Sequence, residues 1–494
     1  MSAPDNFGFN PITGGTESRF GQVVLFVGVV VLSFQVLRVS PPWLLSGAGL
    51  MLIGFSLFVF AALLAVLASG RGRTLAPAKI RLRFLLALWW SLLVASELFY
   101  RFTPESESYA GQFSDAAYGE AAFWGVAFLA LLLVVNRQDL SMGFSGTNKW
   151  LSLFALVAFL SAPFSPTPLY SLAWAFKLVL VLGLLLVCSV LTRDLGDVQS
   201  FFWSSFWGFA VLTLVPVARA FLNPEGAFEK GRLWGSPNGL SLVAGTFVLM
   251  ALLLNLLRKR IWLVASAVVG SAVMIMAGGK AGIGAGVLSI AVFYMLQKRR
   301  AAAVGSVLGI LGLACVILLT TPLATHFVNY AEEGYLATLT GRTELWQAAW
   351  PEIKARPILG RGYLASRFLS EQVEGAFGQA GHMHNGFLEA LYNNGIVGLV
   401  ILMAMHLGII KNLLRAMNAT SNQSAHALAI GCWAIYVHLL VNGLFNASFG
   451  GAARPPFMLF LGLLVVSDTL RRGVLVPVGH TRRQTLCSIP GGEL

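Results

Sequence analysis

Charge is what this chain has least of. Only 11% of its 494 residues are Asp, Glu, Lys or Arg, against 57% hydrophobic, where soluble globular chains carry about 25% charged residues. That excludes an ordinary soluble enzyme or nucleic-acid-binding module. Acid is scarcer than base, 21 residues against 34; so few carboxylates near the histidines argue against a metal site. The four cysteines, Cys188, Cys315, Cys432 and Cys487, set up no disulfide framework; three lie in apolar runs, where thiols behave as small hydrophobes. The ten-residue alternation of a membrane barrel is missing, as are low-complexity tracts and a soluble domain. No internal repeat is visible, which weakens an inverted-repeat transporter reading.

What remains is long hydrocarbon. Apolar runs lie near residues 22–37, 43–69, 82–100, 120–136, 149–162, 169–191, 198–222, 238–257, 261–276, 281–297, 301–320, 387–410, 427–447 and 455–470. Most have the length of a helical membrane span. They predict an all-α, polytopic integral membrane protein of about 12–14 transmembrane helices, with one long outer loop at 321–386. The first apolar run lacks a small-residue cleavage site, so it reads as an uncleaved span.

The basic residues test this count. Counted from an inside start, the cytoplasmic loops hold Arg71, Arg73, Lys79, Arg81 and Arg83, then Arg137 and Lys149, Arg193, Arg258 to Arg260, Lys298 to Arg300, and Lys411 and Arg415; the tail adds Arg471, Arg472, Arg482 and Arg483. The opposite loop 101–120 is acidic, with Glu105, Glu107, Asp115 and Glu120. This follows the positive-inside rule, so both termini are expected in the cytoplasm. The net charge of +13 is therefore mostly topology, and no nucleic-acid partner is implied.

A few cations remain on the other side. Lys177 lies within a span, Arg219 closes the next one, Arg232 follows in the loop EKGRLWGSPNG, and Lys280 occupies the turn AGGKAG. Arg342 and Arg361 belong to the long loop. Each has a plain alternative: Lys177 can pair with Glu97, Arg219 can snorkel to the interface, and Arg232 has Glu225 and Glu229 close by in sequence. Around Lys280, Gly278, Gly279 and Gly282 suit close helix packing, which does not account for the lysine. Collected at one face, these cations fit an anionic ligand at headgroup depth, such as a lipid-linked diphosphate.

The polar stretch from Gly341 to Leu399 carries the most chemistry. It reads GRTELWQAAWPEIKARPILGRGY and later GHMHNGFLEALYNNGIVGL. Trp346, Trp350 and Ile353 recur at helical spacing, predicting a short amphipathic helix over 343–356 at the membrane surface, bent at Pro351. His384 directly precedes Asn385, a good helix N-cap, with Glu389 in the first turn. An imidazole at the positive end of a helix stays neutral, and the amides of that helix start can receive a phosphate or sugar oxygen. A neutral base facing fixed cations suits deprotonation of an attacking hydroxyl while a diphosphate departs. A loop histidine merely bonded near a cap is the alternative. His382 is the weaker candidate, and His406 and His438 are expected to pack between helices.

These motifs resemble the O-antigen ligase and polymerase superfamily: Gly-Arg, then Trp, then Pro-x-x-Gly-x-Gly, then His-Asn before a helix, ending in Asn/Glu-x-Gly-x-x-Gly. GSPNGLSLVAG at 235–245 and MAGGKAGIGAG resemble the upstream segments of the same family, and the likeness runs from Arg232 to Leu399. The resemblance implies a GT-C-like membrane fold and metal-independent, inverting glycosyl transfer without a cofactor, on the outer face of the bacterial inner membrane. The implied partners are an undecaprenyl diphosphate-linked glycan, an acceptor glycan or glycolipid, and membrane lipids. His384 and Arg342 match the catalytic histidine and loop arginine, and Arg232 an upstream arginine; Lys280, Arg361, Asn385, Lys177 and Arg219 are further candidates for substrate binding. Where the family usually has Ser-Arg, this chain has Gly279-Lys280, which keeps the charge without the bidentate fork. Organisation follows the motifs: N-terminal helices over 1–230, a ligase/polymerase-like region over 231–470, and a tail over 471–494. Ligase, polymerase of the same fold, and lipid-linked glycan transporter are the alternatives, in that order.

Overall fold

The computed structural model describes residues 78–102, 115–134, 146–222, 228–229, 232–233, 236–321, 323, 342–369, 382–419, 422–446 and 448–475. The spans expected at 22–37 and 43–69 lie outside them. Each remaining expected span is a helix: α1 (Ala78–Phe102), α2 (Asp115–Val134), α3 (Lys149–Ser161), α4 (Pro168–Leu191), α5 (Leu195–Leu222), α6 (Pro237–Arg258), α7 (Ile261–Met276), α8 (Lys280–Leu296) and α9 (Arg300–Thr320). Beyond the long loop come α12 (Gly386–Ala419), α13 (Gln423–Phe445) and α14 (Pro455–Leu475), with α10 (Arg342–Ala355) and the short α11 (Ser366–Leu369) inside it. Among the described residues, six helices are long and apolar enough to cross a membrane by length and composition. The chain is an all-α polytopic membrane protein. Two of the acids assigned to loop 101–120, Asp115 and Glu120, fall inside α2 instead.

Boundaries follow local chemistry. Ser236 caps α6 by accepting from the Gly239 amide at 3.4 Å, with Pro237 opening the helix. Asn422 caps α13 through the amides of Ser424 and Ala425. One departure from helix is a tiny hairpin, β1 (Phe228–Glu229) with β2 (Arg232–Leu233), pairing Glu229 with Arg232.

A single apolar cluster runs from Leu82 on α1 to Leu470 on α14, so one core spans both sides of residue 230. Trp89 donates to Ser205 Oγ at 2.9 Å, joining α1 to α5; an unsatisfied group in hydrocarbon costs several kcal/mol. At the other extreme, only 17% of the apolar window of α9 is buried. Val304, Leu308, Leu311, Val316 and Leu319 stand exposed along it, so this helix faces lipid on most of its circumference. As expected, His406 and His438 pack between helices: His406 Nδ1 meets the Tyr436 hydroxyl, and His438 Nε2 the Leu242 carbonyl, both at 3.0 Å.

Candidate functional site

The long loop has a small core of its own. Leu345, Ala349 and Ile353 line one face of α10 at intervals of four residues and pack with Ala365, Leu369, Met383 and Tyr392. The helix lies where the sequence places it, but its buried stripe is not Trp346–Trp350–Ile353. Trp350 is 50% exposed, whereas Trp346 turns inward and donates its indole N–H to the Met383 carbonyl at 2.8 Å. The helix passes through Pro351 without ending there.

The Pro-x-x-Gly-x-Gly segment splints a broken helix. Within α12 the backbone at Gly395 leaves the helical region (φ 64°, ψ −166°), freeing amides and carbonyls that must be satisfied elsewhere. Residues 357–362 supply the partners. The Pro357 carbonyl accepts from the Ile396 amide at 2.8 Å, while the Arg361 and Gly362 amides each donate, at 2.9 Å, to the carbonyls of Tyr392 and Asn393. The approach excludes side chains: a Cβ on Gly360 would lie 2.6 Å from Asn393 backbone, and one on Gly395 would lie 2.1 Å from the Ile358 carbonyl. Both glycines have positive φ, 71° and 64°, a second reason for glycine at each.

His384 sits between this splint and the start of α12. Asn385 Oδ1 accepts from the amides of Phe387 and Leu388 at 3.0 Å each, making the N-cap the sequence implies. Its Nδ2 donates to the Leu444 carbonyl at 3.2 Å, tying the cap to α13. These two amides are therefore taken by the cap, in contrast to the expectation that they would be open to a ligand oxygen. His384 itself is left-handed, with φ +50°, a conformation costing a non-glycine residue about 1–2 kcal/mol. Its amide donates to His382 Nδ1 at 3.1 Å, so the proton of the neutral His382 ring is on Nε2. The two rings meet edge to face at 4.2 Å. Burial, reinforced by the Arg342 charge, pushes the His384 imidazole down to about 3. It is neutral at physiological pH, and its Nδ1 is buried with no hydrogen-bond partner among the described residues.

Burial also holds His382 well below its ordinary range, aided by His384 and by the charges of Arg454, Arg342 and Arg367. Three arginines from three segments thus act on His382, and Arg342 acts on His384 as well. Arg342 opens α10. Arg367 lies in α11, bonded to the Tyr170 hydroxyl of α4 and 5.3 Å from that ring. Arg454 precedes α14, its amide on the Ala452 carbonyl. Sequence reasoning missed Arg367 and Arg454; the signal that finds them is an arginine in a segment expected on the outer side, the long loop for Arg367 and the turn before α14 for Arg454.

The other candidates are distributed more widely. Arg361 pairs with Glu352 of α10 beside the splint. Lys177 is buried in α4 with its ammonium over two indoles, 4.3 Å from Trp124 and 4.2 Å from Trp174, a cation–π cage. Arg219 is in the last turn of α5, and Arg232 lies on β2. Lys280 is the exposed first residue of α8. The glycines around it do serve packing, since a Cβ on Gly279 would lie 2.3 Å from the Pro237 carbonyl and one on Gly282 2.4 Å from Ser241 Cβ.

Comparison with known proteins bears on the same region. Residues 239–403 match the family model described as O-antigen ligase. The chain is also 25% identical over 332 residues to an exopolysaccharide production protein, ExoQ, of Rhizobium meliloti (strain 1021), covering 58% of this chain and 70% of that one. The matched segment contains Arg342, the splint, His384 and most of α12, so the likeness to O-antigen ligases falls on the residues that build this site.

Proposed function

We propose that the protein transfers glycan from an undecaprenyl diphosphate carrier to an acceptor hydroxyl at the outer face of the bacterial inner membrane. The acceptor oxygen attacks the anomeric carbon as the bond from that carbon to the diphosphate oxygen breaks. The hydroxyl proton passes to His384, and the electron pair leaves with the diphosphate. Direct displacement of this kind inverts the anomeric centre, and the positive charges needed at the leaving group are side chains, so no metal is required. Arg342 is the nearest candidate to receive the departing charge, with Arg367 and Arg454 beside it. Lys280, Arg232 and the other outer cations are available to guide the donor in.

The observation that supports this reading is a buried, neutral imidazole under the field of Arg342, with a buried Nδ1 that has no hydrogen-bond partner among the described residues. A pKa near 3 is too low for an efficient base. A bound diphosphate corrects this, because its negative charge offsets Arg342 and favours the imidazolium. The base thereby gains strength only when donor is present, which protects the carrier from idle proton transfer.

The test is product analysis with purified protein, lipid-linked donor and acceptor. His384→Ala is expected to lower turnover by about 10²–10⁴, the usual cost of a general base. Normal turnover with this variant would remove His384 from the mechanism. The similarity to an exopolysaccharide production protein favours a second reading, in which the acceptor is the next lipid-linked repeat unit. Products that lengthen on the carrier would select the polymerase; single transfer to a glycolipid would select the ligase.

A further inference from the structure

Glu389 is almost wholly buried, at 1% exposure, and does more than complement a helix dipole. Its Oε2 accepts from the Met383 amide at 2.7 Å. Its Oε1 accepts from the Ser366 hydroxyl at 2.5 Å and from Asn393 Nδ2 at 3.0 Å. Asn393 in turn accepts the Ser366 amide through Oδ1 at 2.9 Å, and its carbonyl holds Gly362. The loop before α14 closes over the same carboxylate. A Cβ on Gly451 would lie 3.2–3.5 Å from the Glu389 side chain, and the Tyr363 hydroxyl donates to the Gly451 carbonyl at 2.8 Å. One carboxylate therefore ties together the segment carrying His384, the helix carrying Arg367, the splint, and the loop carrying Arg454.

We infer that Glu389 is a positioning residue: it anchors the Met383 amide so that His384, next in the chain, is held left-handed with its imidazole under the charge of Arg342. The bracing is specific. Met383 is fixed on both sides, its amide by Glu389 and its carbonyl by Trp346, and His384 is the residue that must then absorb the strained φ of +50°. A carboxylate suits the position because all three groups facing it are donors. A glutamine there would set its own amide N–H against one of them, leaving a buried donor unsatisfied. The inference rests on His384 acting as the base, and the test separates the two claims.

Glu389→Gln, His384→Ala and the double variant are made in the full chain. Monodispersity in detergent and thermal midpoint are measured alongside kcat and the donor KM. The expected result is a fall in kcat of roughly ten- to a hundredfold for Glu389→Gln, the scale of a charge-assisted bond, with donor KM little changed. That loss should vanish in the His384→Ala background, because a residue acting through His384 has nothing left to position. An equal loss in both backgrounds makes Glu389 a fold-stability residue and overturns the inference. A silent His384→Ala removes the base assignment instead, whatever Glu389→Gln does. If Glu389→Gln cannot be isolated folded, Ser366→Ala takes its place: it removes one donor to the carboxylate, a several-fold fall in kcat confined to the His384 background is expected, and an unchanged kcat overturns the inference.

Discussion

The Trp346 indole N–H rests on the Met383 carbonyl at 2.8 Å, joining the helix that begins with Arg342 to the residue beside His384. The proposed base and the proposed leaving-group cation are therefore coupled by one bond that neither residue makes itself. Trp346→Phe keeps the ring and deletes the donor, leaving the Met383 carbonyl short of a partner. It should cost about 0.5–1.5 kcal/mol, read as a roughly two- to tenfold loss in kcat/KM. Full activity in this variant would mean that α10 finds its place through the Leu345–Ala349–Ile353 face alone.

The pH dependence follows from the His384 environment. As the proposed base it acts in its neutral form, and burial with the Arg342 charge pushes its pKa down to about 3, below the usual 6.5 for histidine. Activity should thus be lost only as pH falls towards 3, not through 6.5. The profile of kcat/KM, which reports the free enzyme, should show no acid limb from this group between pH 5 and 8. In the kcat profile the limb should move up, because bound diphosphate stabilises the imidazolium. Arg342→Gln should raise the free-enzyme pKa only in part, since burial is the larger cause. An acid limb near 6.5 in the wild-type kcat/KM profile would contradict the buried, neutral base.

Gly395→Ala and Gly360→Ala should both fail structurally rather than chemically. At Gly395 the added methyl meets a carbonyl at 2.1 Å, and at Gly360 it meets backbone at 2.6 Å, each at positive φ. The splint would have to separate from α12, exposing amides and carbonyls costing about 1–3 kcal/mol each. Reduced folded yield and a lower thermal midpoint are expected, several degrees or more. Unchanged stability at both positions would show that the break in α12 can form without the splint.

Orientation is accessible to thiol labelling in spheroplasts. A cysteine at Ala355, exposed at the end of α10, should react with an impermeant reagent, and one at Ala301, next to the basic run Lys298–Arg300, should not. Reversed labelling would put the histidine site on the cytoplasmic side, away from an outward-facing carrier.

Much of this architecture is a direct consequence of composition. In lipid the backbone must satisfy itself, so a long apolar run has one stable form, and the described spans lie close to where hydropathy sets them, apart from α12, which continues past residue 410 to Ala419. The cap at Asn385 and the helix over 342–355 are local in the same sense, because their partners lie within a few residues. Tertiary structure decided everything whose partner is distant in sequence. Which face of α10 is buried depends on Ala365, Met383 and Tyr392, so Trp350 faces outward despite its spacing. The glycines of PILGRG make sense only against the break at Gly395, some 35 residues on. Arg367 and Arg454 join Arg342 at His382 only because three loops fold over one buried carboxylate. That carboxylate, Glu389, reads in sequence as a first-turn acid on a helix; Asn393 is its neighbour one turn on and Met383 lies six residues before it, but the Ser366 hydroxyl reaches it only through packing.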